Sequence, residues 1–275
     1  SSSSHMRGDG QGATPSAEPL RAALEAHVEA FGDRGIEELK LETVTFPDDR
    51  FGWTSARINT RDRFAFQYGR IEASIKMPAG QGLWPAFWML SQDSDYLCDG
   101  EPCNWAATGE IDIVEAVNLD GTPGPGGFGG GNEIFGTIHF GGEAPANQAA
   151  STRYTPSVDI TEGFNTYALE WDESQIRWYF NGLLYAMQNS WDSAADGKDF
   201  PAPFDQPFHV LLNLAVGGWY PGCTDPDDSS ENDPTLICDD GIDNDGDRMP
   251  DAFQVARVLF QCRESSGGGW DLQRR

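Results

Sequence analysis

Three acidic side chains crowd one short stretch, Gly109-Glu110-Ile-Asp112-Ile-Val-Glu115-Ala116. In a strand, residues two apart share a face, so Glu110 and Asp112 project together. Glu115 lies five positions after Glu110 and by that parity faces the other way. One extra residue, a β-bulge at Ile113–Val114, restores the parity and aims Glu115 beside the other two. Like charges on one strand face repel, and a purely structural strand gains nothing from them. The residues alone leave three uses open. An enzyme exploits such a group because like charges at short range drive pKa values apart and make one carboxyl an acid and another a base or nucleophile. A hard cation takes the same oxygens as ligands. A solvated acidic face needs neither. The interleaved Ile111, Ile113 and Val114 mark the reverse face as core.

Strands must position these groups. Leu39, Leu41, Thr43 and Thr45 alternate with polar neighbours, as do Phe64, Phe66 and Tyr68, and Ile71, Ala73, Ile75 and Met77. Later strands are expected at Ile134–Phe140, Asn165–Trp171, Gln175–Phe180, Leu183–Met187 and Phe208–Leu214, with Asn181-Gly182 turning one hairpin. Strands at this spacing without intervening helices predict an all-β antiparallel sandwich. Trp171 and Trp178 sit in alternating strands and read as core. His209, in an apolar strand, reads as structural. The Gly-rich stretch 121–131 opens no helix, so a phosphate cradle is rejected.

Composition narrows the function classes. The 275 residues carry 18 basic and 44 acidic side chains, a net charge of −26, and only Lys40, Lys76 and Lys198 as lysines. Nucleic acid as partner is excluded, since phosphate binding needs a basic face. No apolar run approaches membrane-spanning length, so no membrane partner is expected. Gly and Pro number 32 and 17, in keeping with many turns and short strands. Among Cys98, Cys103, Cys223, Cys238 and Cys262, the first two can close a small loop, and Cys223 and Cys238 flank an acidic segment. Two disulfides and one odd cysteine predict a secreted or extracytoplasmic protein; CxxC spacing for zinc is absent.

Several segments together resemble one family. The carboxylate motif is preceded by Gly80-Gln-Gly-Leu-Trp84-Pro-Ala-Phe-Trp88-Met-Leu90 and followed by Gly136-Thr-Ile-His139-Phe-Gly141. Thr54-Ser-Ala-Arg57-Ile58, Phe66-Gln-Tyr-Gly-Arg70, Trp105, and Phe204 to Phe208 with Leu212-Asn213 to Gly218 complete the set, from about Thr54 to Gly218. This set resembles glycoside hydrolase family 16, and the longer, bulged motif is similar to its laminarinase-like endo-1,3-β-glucanases. The resemblance implies a β-jelly-roll sandwich, concanavalin-like, with a concave substrate cleft and retaining hydrolysis. It implies Glu110 as nucleophile, Glu115 as acid/base and Asp112 as the group that orients and tunes Glu110. Retaining enzymes hold the two carboxyls about 5–5.5 Å apart, a distance that same-face positions on a bulged strand can meet. Trp84, Trp88 and Trp105 are expected to stack on sugars, His139 to stand near the acid/base, and Asn213 and Arg57 to reach hydroxyls, with Arg70 a lesser candidate. After the double glycine, Trp219-Tyr220-Pro221 stands where the resemblance leads one to expect Asn-Trp-Pro. The ring is thus shifted by a residue.

The expected reaction is internal cleavage of 1,3-β-linkages in a laminarin-like β-glucan by a monomer that needs no catalytic cofactor. Two alternatives stay open: a relative acting on a red-algal galactan of the agarose or carrageenan type, and a non-catalytic, lectin-like carbohydrate-binding domain. Few basic residues line the matched segments, which disfavours sulfated substrates. The intact carboxylate set disfavours the lectin. The domain is expected over 36–264, with an acidic insertion at 221–250 and a tail at 265–275. Residues 1–35 read as a tag remnant (SSSSHM), a leader and a short helix from Ser16 to Gly32. Within the insertion, Asp243, Asp245, Asp247 and Asp251 occupy positions 1, 3, 5 and 9 of an EF-type loop. Gly246 falls at position 4 instead of 6, and position 12 is Gln254, so the EF-hand proper fails. A structural calcium and a solvated acidic loop both remain open.

Overall fold

The computed structural model describes residues 40–44, 55–218, 220–222 and 254–261. Residues 1–35, the acidic insertion from 223 onward with its four aspartates, Cys223, Cys238, Cys262, Trp219 and the 265–275 tail lie outside the described residues. Fifteen strands follow in chain order. They are β1 (Lys40–Val44), β2 (Ser55–Asn59), β3 (Ala65–Phe66), β4 (Gly69–Lys76), β5 (Leu83–Ser91), β6 (Leu97–Cys98), β7 (Glu101–Pro102) and β8 (Glu110–Glu115). Then come β9 (Ile134–Gly141), β10 (Asn147–Tyr154), β11 (Asn165–Asp172), β12 (Gln175–Phe180), β13 (Leu183–Gln188), β14 (Phe208–Val216) and β15 (Gln254–Gln261). A single 3₁₀ turn, Pro125–Gly127, is the one helical element among the described residues.

Two antiparallel sheets form the sandwich. The larger runs β1-β2-β14-β5-β8-β9-β10, with β3 also on β14; the smaller runs β13-β12-β11-β4-β15. Neighbours far apart in sequence, such as β14 between β2 and β5, give the jelly-roll connectivity. Alternation decides which face each strand buries. In β4, Ile71, Ala73 and Ile75 are buried while Arg70, Glu72 and Ser74 are less so. In β5, Phe87 and Met89 enter the core while Trp84, Trp88 and Leu90 turn to the other face. The core between the sheets is closed by Tyr167, Trp171, Trp178, Phe204 and Phe208, all under 2% exposed. Each such ring removes a large apolar area from water, and the two tryptophans spend their N–H groups on carbonyls: Trp171 Nε1 donates to Phe204 O at 3.1 Å and Trp178 Nε1 to Asp112 O at 2.8 Å.

The Asn181-Gly182 turn joins β12 to β13 with both residues at positive φ, 47° and 79°, the geometry a two-residue hairpin requires. The short strands β2, β6 and β7 were not among those expected, nor were two longer ones. β5 doubles as the tryptophan-rich segment, and β10 is an edge strand with polar residues on both faces. Cys98 and Cys103 are joined by a disulfide across the small β6–β7 hairpin. Arg70 lies on the outer face of the smaller sheet in ion pairs with Glu72 (2.8 Å) and Glu170 (3.1 Å), away from the carboxylate motif.

Candidate active site

The bulge sits where parity demanded it. Against β5, Asp112 pairs with Trp88 and Val114 with Phe87, so Ile113 is the extra residue; the β9 pairing shifts over the same interval. Glu110 and Glu115 therefore share the cleft face, both half-buried, with Asp112 between them at 2% exposure. The broken ladder also turns the Asp112 carbonyl toward the core, where the Trp178 indole meets it. Room for that indole comes from Gly136 on β9: a Cβ there would stand 2.6 Å from Trp178 Cδ1 and 2.8 Å from the Tyr185 hydroxyl. The glycine of the Gly-Thr-Ile-His segment is thus a space requirement of the bulge.

Each glutamate has its own indole donor. Trp105 Nε1 donates to Glu110 Oε2 at 2.7 Å, and Trp84 Nε1 donates to Glu115 Oε1 at 2.9 Å. His139, opposite Glu110 in register, places Nε2 3.4 Å from Asp112 Oδ2 and 3.9 Å from Glu110 Oε1. It stands beside Asp112 and Glu110 and is also close enough to Glu115 to lower its pKa. Trp88, Asn213 and Arg57 form one unit: Trp88 Nε1 donates to Asn213 Oδ1 at 2.8 Å, and the Arg57 guanidinium lies 4.7 Å above the Trp88 ring. They flank the motif across β5, β14 and β2 and present a ring edged by polar groups.

Burial dominates the electrostatics. It pushes Glu110 up to about 8, aided by the charge of Asp112 and opposed by His139 and the Trp105 N–H. It pushes Glu115 up to about 7, aided by the Glu110 charge and opposed by the Trp84 N–H and His139. Asp112 is raised well above the usual carboxylate range by burial and then by Glu115. Glu110 and Asp112 bring carboxylate oxygens within 4.8 Å of each other, and one bound proton relieves their repulsion. That proton belongs on Asp112, the more deeply buried carboxyl, because Glu110 has the indole donor and the greater access to water. With Asp112 neutral its charge no longer lifts Glu110, whereas Glu115 still faces the Glu110 anion. Glu110 then titrates below Glu115, the order that makes one a nucleophile and the other an acid.

His209 is 3% exposed, and burial followed by Arg61 lowers its pKa to about 4, consistent with a structural reading. Glu110, Asp112 and His139 also offer ligand atoms within 4.8 Å of one another. Protons shared among raised carboxyls make this a poor cation site at neutral pH, since a metal needs the oxygens deprotonated.

Sequence reasoning missed part of the Glu115 side. Tyr220 packs edge-on against Trp84 at 5.0 Å and tilts against Phe128 at 5.7 Å. Its hydroxyl is held neutral by burial and by the charges of Glu115 and Asp112. Asn118, fully buried and at φ 53°, accepts the Gly82 N–H (2.8 Å) and donates to Pro221 O (2.8 Å). It so ties the strand before Trp84 to the segment bearing Tyr220. The rejected phosphate loop has a structural use: Arg153 Nη2 donates to Gly127 O at 2.7 Å and lies over Phe128 and Phe135, fixing Phe128 under Tyr220. Only the ring shifted by one residue after the double glycine hinted at this wall.

With a two-sheet jelly roll and this bulged carboxylate strand on its open face, the molecule is a carbohydrate-hydrolase scaffold. The chain belongs to glycosyl hydrolases family 16, whose model matches residues 25–234. It is 38% identical over 195 residues to "Glucan endo-1,3-beta-glucosidase A1" of Niallia circulans, covering 68% of this chain and 26% of that protein. It is 33% identical over 232 residues to "Glucan endo-1,3-beta-glucosidase" of Cryptopygus antarcticus, covering 82% of this chain and 73% of that protein. Its fold is similar to that of a Bacteroides ovatus mixed linkage glucan family 16 protein solved with a G4G4G3G product, at TM-score 0.56 and 25% identity over 80% of this chain and 84% of that one. The chain thus spans about a quarter of the first relative's length.

Proposed function

We propose that the protein is an endo-acting retaining glycoside hydrolase that cleaves 1,3-β-glucosidic linkages in laminarin-like glucans. The bulge that returns Glu115 to the face of Glu110, with a separate indole donor on each, carries this reading. Glu110, anionic, attacks the anomeric carbon, and its new C–O bond replaces the bond to the leaving oxygen. Glu115 delivers its proton to that oxygen. It then takes a proton from water, which displaces Glu110 and restores the starting state. Asp112 keeps a proton and donates it as a hydrogen bond to Glu110. Two relatives named as endo-1,3-β-glucosidases support the linkage, and the Trp88–Asn213–Arg57 unit offers the stacking and polar contacts a pyranose needs.

Product chromatography on laminarin, lichenan, agarose and κ-carrageenan tests the substrate. A ladder of oligosaccharides from laminarin is expected; products from agarose or carrageenan alone overturn it. Azide tests the roles. Glu110→Ala should give the α-glycosyl azide by direct attack, and Glu115→Ala, with a leaving group that needs no proton, the β anomer. The same anomer from both mutants refutes the assignment. We further propose secretion, from the cysteine usage, and a structural calcium on Asp243, Asp245, Asp247 and Asp251. Chelation should then lower the melting temperature and added calcium restore it; an unchanged curve on metal-free protein leaves a solvated loop.

A further inference from the structure

The two ends of the carboxylate motif are flanked differently. At the Glu115 end, Trp84, Tyr220 and Phe128 form a packed aromatic wall. At the Glu110 end a cavity of about 500 Å³ opens beside Trp105, over the ends of β5 and β14. Arg61, Leu90, Asp93, Asn104, Trp105 and His209 are among the residues that line it. The volume falls within the about 300–1,000 Å³ of small-ligand sites.

Its place relative to the scissile bond says what can enter. In the proposed reaction the two glutamates act on one bond from opposite sides, and they are spaced along β8. The glucan backbone must therefore pass between them, across the strands, with the cavity beside it. A cavity beside a polymer track receives substituents, not backbone units. In a 1,3-linked glucan the free positions are O2, O4 and O6, and only O6 stands on an exocyclic carbon that carries it clear of the ring.

The lining matches a neutral sugar. The Trp105 ring is 41% exposed and offers a surface for a pyranose. Ser91, Ser94, Asn104 and Thr108 supply hydroxyl, amide and backbone groups. The charges of Arg61 and Asp93 offset each other, which disfavours a sulfate or uronate. Among the described residues, His209 Nδ1 is buried at this wall without a hydrogen-bond partner. Asn104 and Trp105 are held in place: Glu143 Oε1 accepts Asn104 N at 2.7 Å and Asn104 Nδ2 at 3.2 Å, and Ala144 N donates to Trp105 O at 3.1 Å. The cavity wall is pre-formed.

We infer that this cavity binds a 6-O-linked glucosyl branch of the substrate, so that the enzyme cuts branched 1,3-β-glucans at a fixed distance from the branch. The inference rests on the glucanase reading. Its test uses linear laminari-oligosaccharides and oligosaccharides of the same backbone bearing one 6-O-β-glucosyl residue, with the full chain and the variants Arg61→Ala and Asp93→Trp. The wild type should cleave the branched series at least as well as the linear one, with mass spectrometry finding the branch at one position relative to the cut. Both variants should lose about five- to tenfold in kcat/KM on the branched series, the scale of one lost hydrogen bond of ordinary strength for Arg61→Ala and of a filled cavity for Asp93→Trp, with linear cleavage unchanged. Equal losses on both series, or branches scattered at random around the cut, overturn the branch site while the glucanase reading stands. No cleavage of the linear series by wild type overturns the glucanase reading and the branch site with it.

Discussion

Replacing Trp105 and Trp84 separately by Phe should move opposite limbs of the pH–rate profile. Each substitution keeps a ring and removes one N–H: from Glu110 Oε2 in Trp105→Phe, from Glu115 Oε1 in Trp84→Phe. A hydrogen bond to a charged group contributes about 1.5–3 kcal/mol, and one pKa unit corresponds to about 1.4 kcal/mol. Full loss would raise the glutamate by about 1–2 units on that scale. Trp105 is 41% exposed, so water replaces part of its bond and about one unit is expected for Glu110. The assay is kcat/KM against pH on a short laminari-oligosaccharide, which reports the free enzyme. Glu110 must be ionised to attack, so Trp105→Phe shifts the acid limb to higher pH and narrows the bell. Glu115 must be protonated to act, so Trp84→Phe shifts the alkaline limb to higher pH and widens it. If Trp105→Phe moves the alkaline limb instead, Glu110 holds the higher pKa, and the placement of the shared proton on Asp112 is wrong.

Stability should fall as pH rises through neutrality. Glu115 at about 7 lies above the ordinary 4.5, so the folded state keeps a proton that the unfolded chain has released. Its contribution is complete below about pH 4.5 and lost as pH rises through 7; Glu115→Gln should gain on the order of 2–3 kcal/mol near pH 8.5 and almost nothing at pH 4, by denaturant titration. A pH-independent gain would mean that Glu115 is not held protonated. Glu143→Ala should lower kcat about tenfold by loosening Trp105 over Glu110, whereas Glu143→Gln, which keeps the accepting oxygen, should retain activity; equal loss in both would remove Glu143 as a positioning residue. Gly136→Ala should cost about 1–3 kcal/mol and reduce kcat, because the new methyl displaces Trp178 from the Asp112 carbonyl; near-neutral stability in thermal unfolding would show that the indole has room to move.

The parts legible in sequence were those with a short-range physical code. Strand alternation placed β4, β9, β11 and β12 within a residue or two, and parity arithmetic on Glu110 and Glu115 located the bulge at Ile113. What escaped was set by long-range packing. Asn147–Tyr154 forms an edge strand whose outer side pairs with no further strand among the described residues, so neither face needs to be apolar and alternation disappears. Tyr220 and Asn118 act through partners about a hundred positions away: Asn118 bonds Pro221 across 103 residues. His139 meets Glu110 and Asp112 through the register between β8 and β9, which no local pattern encodes.

The same bulge explains why chemistry and core cannot be varied separately here. Three carboxyls with raised pKa values on one strand face destabilise the folded state above neutrality, and a strand free to relax would slide one residue and turn Glu115 away. What opposes the slide is an interlock: the extra residue Ile113 is buried in the core, the freed Asp112 carbonyl is taken by Trp178 from the other sheet, and Gly136 leaves space for that ring and no more. Undoing the bulge would leave a buried indole N–H without its acceptor and a void where the ring had been, each costing about 1–3 kcal/mol or more. That penalty is comparable with the relief the carboxyls would gain by separating. Registry of the two glutamates is therefore maintained by the apolar core beneath it, and the cleft-facing residues of β5 and β14 remain free to vary without disturbing it.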